Sequence, residues 1–179
     1  MEIIVINGAP VNTENEYREV LKTCVDDLAS KGDEVEIVDL SDLTINQCIG
    51  CWSCWVKTPG ECFHNDGVRE VLSKVVKSDL VVFASPIVAG FISALLKRFT
   101  DRLIPLVLPY FTILEEEIHH VPRYEKRPLL GVMLFTGEDT DKEDLEIILD
   151  VYRRNSLNLS TDLAFFKAFD RKRKEIMVV

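Results

Sequence analysis

Four of the chain's five cysteines fall close together, as Cys48, Cys51, Cys54 and, after seven intervening residues, Cys62. Thiolates are soft metal ligands. Three of them spaced C-x2-C-x2-C can wrap one corner of an iron–sulfur cubane while a fourth from the same loop closes it. Gly50, Pro59 and Gly60 supply the tight turns that such wrapping needs. Four thiolates also satisfy a structural zinc ion, although zinc more often draws on two well-separated pairs. A third reading leaves free thiols in an apolar loop, with an occasional disulfide. Cys24 stands apart, at helical spacing among apolar residues, and reads as core. Trp52 and Trp55 flank Cys54; they can stack on a planar cofactor or cover a metal, but loop aromatics more often pack or make a subunit contact.

Other chemistry is thin. His64, His119 and His120 have no acidic or cysteine partner at ligand spacing. The sequence holds no nucleophile elbow, phosphate-binding Walker loop, HExxH or GxGxxG, so hydrolase and kinase chemistry has no residues to rest on.

The elements that must position these residues alternate in type. Glu2 to Asn7 is an unbroken apolar run of the kind covered on both faces in a parallel sheet, and it stops at Gly8-Ala9-Pro10. Tyr17, Val20, Leu21, Cys24, Val25 and Leu28 then follow helical spacing, with Gly32 beyond the last turn. Val35, Ile37 and Leu40 form a second strand, and residues 41–65 make a long, apolar excursion around the cysteines. Asp66 is placed to cap a helix through Val68, Val71, Leu72, Val75 and Val76. A third strand spans Asp79 to Ala84, ended by Ser85-Pro86, and a helix runs from Ser93 to Leu103. Residues 104–128 are interrupted by proline and resist assignment. Leu129 to Phe135 is a fourth strand, Lys142 to Leu157 a helix, and Leu163 to Phe166 a fifth strand.

This alternation predicts one α/β domain over residues 1–179, a flavodoxin-like, doubly wound five-stranded parallel sheet of order 2-1-3-4-5. After the fifth strand about a dozen residues remain, so the fifth helix is expected to be short or absent. Ligands of such sheets bind outside the carboxyl ends of strands 1 and 3. That selects the loops Gly8–Glu16 and Ser85–Ser93.

Two segments carry a family resemblance. One is Asn46-Gln-Cys-Ile-Gly-Cys-Trp-Ser-Cys-Trp-Val-Lys-Thr-Pro-Gly-Glu-Cys62; the other is Ser85-Pro-Ile-Val-Ala-Gly-Phe-Ile-Ser-Ala-Leu-Leu-Lys97 with Asp101-Arg102. In this order, after a strand ending in Asn-Gly-x-Pro, they resemble the NADPH-dependent FMN reductase and iron-sulfur flavoprotein family over roughly residues 1–135. The resemblance implies FMN as cofactor and NAD(P)H as electron donor. It further implies a flavin, quinone or other small molecule as electron acceptor, and a 4Fe-4S cluster on Cys48, Cys51, Cys54 and Cys62. It implies FMN contacts at Gly8, Ala9, Pro10, Asn12, Thr13 and Asn15 for the phosphate, and at Pro86, Ile87, Val88, Ala89 and Gly90 for the ring. No catalytic side chain is expected, because the flavin itself carries the electrons. A one-electron carrier, or a module that has lost FMN, are the alternatives. The phosphate loop departs from the family's Gly-Ser-Pro-Arg and Asn-Thr pattern: Ala9 lacks a hydroxyl, Val11 lacks a cation, and Glu16 stands in the threonine's place.

Composition narrows the partners. With 21 basic against 30 acidic residues, a net charge of -9 and a pI near 4.9, a nucleic-acid coat is not expected. The basic run Arg171 to Lys174 reads as a solvated turn. No apolar stretch approaches the ~18 residues of a membrane span, and the N-terminus has no basic leader, so a cytoplasmic protein is expected. A face with only one helix would leave the fourth and fifth strands open, which predicts a homodimer or larger homo-oligomer burying at least about 1,000 Å².

Overall fold

The computed structural model describes residues 1–170 and 175–178. In chain order, β1 (Glu2–Asn7), α1 (Asn15–Ala29) and β2 (Glu34–Asp39) lead to the cysteine loop, which contains one short helix, α2 (Ser53–Val56). There follow α3 (Val68–Lys77), β3 (Leu80–Val88), β4 (Phe91–Ile92) and α4 (Ala94–Thr100). A hairpin of β5 (Val107–Leu114) and β6 (Glu117–Pro122) precedes β7 (Leu129–Phe135), α5 (Lys142–Asn158), β8 (Leu163–Phe169) and β9 (Glu175–Val178).

The main sheet runs β2-β1-β3-β7-β8-β9. Its first five strands are parallel and follow the expected 2-1-3-4-5 order, so the fold is flavodoxin-like. Two strands were not anticipated. β9 pairs antiparallel with β8 at the edge, and among the described residues no helix follows β8. β4 folds back antiparallel on the end of β3. β3 therefore outruns the expected boundary at Ser85-Pro86. β1 pairs only as far as Ala84, so at Pro86 that edge of β3 has no strand neighbour and the missing N–H costs no ladder bond. The basic run 171–174 lies outside the described residues.

Two cores flank the sheet. On one face α3, α4 and α5 bury Val68, Val71, Leu72, Val75, Leu96, Phe99, Leu145, Ile148 and Tyr152. On the other, α1 buries Tyr17, Val20, Leu21 and Cys24 against Ile3, Val5, Val82, Met133, Phe135 and Phe169. This second face is not left open as the missing helix suggested. Met133, Phe135 and Phe169 are buried, Leu129 and Phe165 half-buried, and Lys167 reaches Glu175 of β9 at 3.1 Å. Ile176 of β9 is exposed, and further large exposed apolar side chains stand elsewhere. Tyr110, Phe111, Ile113 and Ile118 lie on the β5–β6 hairpin, and Trp52, Val56 and Phe63 on the cysteine loop.

That hairpin was the unassigned segment. Its turn is Glu115-Glu116, both at positive φ (50° and 66°), a conformation usually signalled by Asn-Gly. Arg123 ties its base, donating from Nε to the Pro105 carbonyl at 2.8 Å.

Candidate functional site

β1 ends in a side chain that organises everything after it. Asn7 donates from Nδ2 to Asp39 at 2.5 Å, and its Oδ1 accepts from the Ala9 amide at 3.0 Å and the Tyr17 hydroxyl at 2.5 Å. One amide thus joins β2, the following loop and α1. Burial pushes the Tyr17 hydroxyl far above its ordinary pKa, so it remains a donor. The Gly8 amide donates to Ala84 at 2.8 Å, and its carbonyl accepts from the Ser93 hydroxyl at 2.5 Å. A Cβ on Gly8 would stand 2.4 Å from the Leu96 Cβ, so glycine is what lets α4 seat against β1. The Pro10 carbonyl accepts from both Thr13 N (3.0 Å) and Thr13 Oγ1 (2.7 Å). α1 then starts at Asn15 behind Glu14, whose side chain does not cap it.

Beside this helix end lies a cavity of about 290 Å³. Pro10, Asn12 and Thr13 line it from the loop, Pro86, Ile87 and Val88 from β3, and Tyr17, Val20 and Phe135 supply apolar wall. Of the residues expected to meet FMN, these six from loop and strand are brought together. Gly8, Ala9, Asn15, Ala89 and Gly90 lie outside the wall. Ala89 and Gly90 are the two positive-φ residues of the β3–β4 turn (50° and 75°). A Cβ on Gly90 would meet the Asp144 carboxylate at 2.6 Å, so the bare backbone there faces the start of α5.

Among the described residues the wall also holds Glu14, Glu16 and Asp170, and no lysine or arginine. Thr136, Gly137 and Asp170 were not foreseen; they follow β7 and β8, whose carboxyl ends open on the same cavity. Arg18 was missed too. It donates to the Val11 carbonyl at 3.1 Å and returns a cation to the loop that lacks one at Val11. Its position one turn after Glu14 was the available signal.

The cysteines form a second locus. Cys48 and Cys51 are exposed, Cys54 and Cys62 half-buried, and all are free thiols. Burial raises the Cys54 pKa, and charge at Cys62, Cys48 and Cys51 adds to it, so the four sulfurs share one electrostatic neighbourhood. The Ser53 hydroxyl and then its amide hold the Cys51 thiol below its usual value. Among the described residues, no three His, Cys, Asp or Glu groups stand close enough to grip a single ion. The loop is fastened by Trp55, whose Nε1 donates to Val107 at 2.9 Å. Trp52 stacks on Trp55 at 4.8 Å, and Trp55 meets His120 of β6 at 5.1 Å.

Beneath that loop is a buried ion pair. Arg102 Nη1 donates to Asp66 Oδ2 at 2.5 Å and to the Asn46 carbonyl at 3.1 Å. Burial pushes the Asp66 carboxyl up, but hydrogen bonds from Arg102 and Asn46 together outweigh it and bring the pKa down to about 2. Asp66 does approach the Val68 amide (3.3 Å), though Gly67 occupies the cap position and the carboxylate mainly serves Arg102 and Asn46.

A flavodoxin-like sheet with a cavity at the carboxyl ends of β1 and β3 has its ligand space where such sheets ordinarily bind ligands. The sequence profile of the NADPH-dependent FMN reductase family matches residues 1–132, and the chain belongs to that family. An iron-sulfur flavoprotein of Methanocaldococcus jannaschii is 36% identical over 106 residues, covering 59% of this chain and 53% of the relative. Another, of Archaeoglobus fulgidus, is 36% identical over 105 residues, covering 59% and 46%. The chain thus spans about half the length of these curated relatives. In fold it is similar to the NAD(P)H:quinone oxidoreductase of Methanothermobacter marburgensis (TM-score 0.66, 19% identity, 96% of this chain and 87% of that one). It is also similar to an FMN-dependent NADH-azoreductase of Bacillus anthracis solved with FMN (TM-score 0.58, 15% identity, 95% and 86%). No helix among the described residues is long and apolar enough to cross a membrane.

Proposed function

We propose that this chain is an FMN-dependent oxidoreductase that takes electrons from NAD(P)H and passes them to a small acceptor. We propose further that Cys48, Cys51, Cys54 and Cys62 hold a 4Fe-4S cluster. The observation that carries the flavin reading is the cavity between the uncapped start of α1 and the β3 extension, in a chain of the FMN reductase family. The residues fit the group in two respects. First-turn N–H groups of α1, with Asn12 and Thr13, offer donors to a phosphate. Tyr17, Val20, Phe135 and Pro86 offer an apolar slot that sheds water from a planar ring. In one respect they oppose it. A carboxylate about 4 Å from a phosphate costs on the order of 4 kcal/mol per unit-charge pair at an effective dielectric near 20, less with solvent screening. A helix end returns roughly 1 kcal/mol. The loop therefore holds FMN by its backbone and ring contacts more than by charge.

Bound FMN supplies hydride acceptance and stepwise electron release. The protein's share is position: Asn7 sets the loop, Ser93 and Gly8 lock it to α4, and the apolar wall excludes water. The cluster reading rests on four free thiols in one neighbourhood, spaced as a compact ligand run. A homodimer joined through the exposed hairpin residues completes the reading, with the Trp52 loop beside the partner's cavity.

Anaerobically purified protein should carry flavin absorbance, gain iron and a broad visible shoulder on reconstitution, and oxidise NADPH. Protein that binds FMN without oxidising NADPH or NADH would overturn the reductase reading. Protein that takes up no iron would overturn the cluster.

A further inference from the structure

α3 carries two kinds of face. Val68, Val71 and Val75 are buried against the sheet, while Arg69, Ser73 and Lys77 recur every fourth residue on a neighbouring face. That second face, with Leu72 and Val76 beside it, lines a second cavity of about 230 Å³. Leu106 and Tyr124 form the facing wall, and the chain at Gly60–Cys62 completes it. A Cβ on Gly60 (φ 87°) would stand 3.0 Å from the Tyr124 hydroxyl, so bare backbone lets that ring lie against the loop. This cavity shares no residue with the one beside α1.

The charges in its wall are out of balance. Arg69 uses Nη1 on Glu61 at 3.2 Å and Nη2 on the Cys62 carbonyl at 3.2 Å. Its Nε is buried and has no hydrogen-bond partner. Fastening the loop needs only the two terminal nitrogens, and an idle buried donor on a charged group is costly unless something in the cavity receives it. Lys77 has no carboxylate within ion-pair distance among the described residues. Glu36 and Glu70 pair with Lys74 at 2.7 and 3.5 Å, and Asp79 pairs with Lys126 at 2.8 Å. Glu61 is the one acid in the wall, so two cations face one carboxylate here in a chain whose net charge is -9. Water can hydrate these cations, but it gains nothing from a floor of Leu72, Val76 and Leu106.

We propose that this cavity binds a small organic anion, an apolar body bearing one carboxylate, independently of the flavin. The carboxylate accepts from Arg69 Nε, and the body lies on Leu72, Val76, Leu106 and the Tyr124 ring. Lys77 stands two helical turns on, ~12 Å along the axis, and adds attraction rather than a shared hydrogen bond. The space is below the ~300–1,000 Å³ of pockets for drug-sized ligands, so the molecule is small. Because Arg69 also holds Glu61 and Cys62, the bound anion fastens the cysteine loop to α3 and raises the unfolding temperature.

The test titrates the full chain, loaded with FMN, with 4-phenylbutyrate as the probe, read by calorimetry and by thermal unfolding. One probe should bind per chain with a Kd at or below about 1 mM, and the melt should move up as the probe saturates. The uncharged 4-phenylbutyramide and the bodiless acetate should each bind roughly tenfold or more weakly. Arg69→Gln should weaken the probe roughly tenfold or more, and Lys77→Gln, which breaks no loop contact, about threefold, with FMN affinity unmoved in both. No saturation up to about 10 mM probe, acetate or inorganic phosphate binding as tightly as the probe, or unchanged affinity in Lys77→Gln and Arg69→Gln, would overturn the proposal. The flavin-free chain should give the same Kd. A chain that fails to take FMN therefore leaves this site standing, and a chain that fails to take the probe leaves the flavin reading standing.

Discussion

Glu16 is the residue on which the flavin site turns. It lines the cavity at the first turn of α1, where the family's pattern has a threonine. Replacing Glu16 by Thr together with Val11 by Arg should tighten FMN binding at least tenfold and leave riboflavin, which has no phosphate, unchanged; calorimetry of both ligands decides it. The same repulsion predicts that FMN affinity rises with salt, because charges ~8 Å apart are largely screened at physiological ionic strength. Asp66 gives a separate test. Its folded pKa of about 2 lies below the ~3.9 of an unfolded aspartate, so its contribution to stability is fully present above about pH 4. It is lost as pH falls through 2. Roughly 2 kcal/mol should disappear across that window in denaturant titrations, and Asp66→Asn should flatten the dependence. The cysteine run and the altered phosphate loop were legible because their residue types are rare and their spacing tight. Arg102 was legible only as part of a motif. Its partner Asp66 looked like a helix cap, because the ion pair joins residues distant in sequence.

At the scale of elements, the parallel strands were readable from unbroken apolar runs and the helices from their spacing. What escaped were the two hairpins. β3–β4 turns on Ala89-Gly90, three residues after Pro86, and β5–β6 turns on two glutamates, so neither carried a usual turn dipeptide. The cavity depends on one packing contact between elements. Gly8→Ala would drive a methyl into Leu96, where Cβ, Cα and N all lie within 3.2 Å, so backbone would have to move. The expected cost is about 1–3 kcal/mol of stability with a matching loss of FMN affinity, read by thermal melts with and without flavin. α5 is anchored differently, by a capping box in which Asp141 accepts from Asp144 N at 2.9 Å and Asp144 accepts from Asp141 N at 3.1 Å. Asp141→Ala should therefore cost about 1 kcal/mol without changing the cavity.

For the whole molecule, the exposed apolar surface argues for self-association, though on a different face from the one that the strand and helix count suggested. Met133, Phe135 and Phe169 of the helix-poor face are buried and β9 extends the sheet beyond β8, whereas the hairpin exposes Tyr110, Phe111, Ile113 and Ile118. Sedimentation should show a dimer that Phe111→Glu with Ile113→Lys dissociates; a 20.4 kDa species of the unmodified chain at micromolar concentration would contradict it. Net charge of -9 adds a long-range repulsion for FMN and for NAD(P)H alike. The most direct measurement is accordingly a titration of the unmodified chain with FMN, followed by quenching of flavin fluorescence. The account predicts saturation at one FMN per chain with a micromolar or tighter Kd, weakened roughly 5- to 150-fold in Gly8→Ala. Absence of saturation up to millimolar FMN would contradict it.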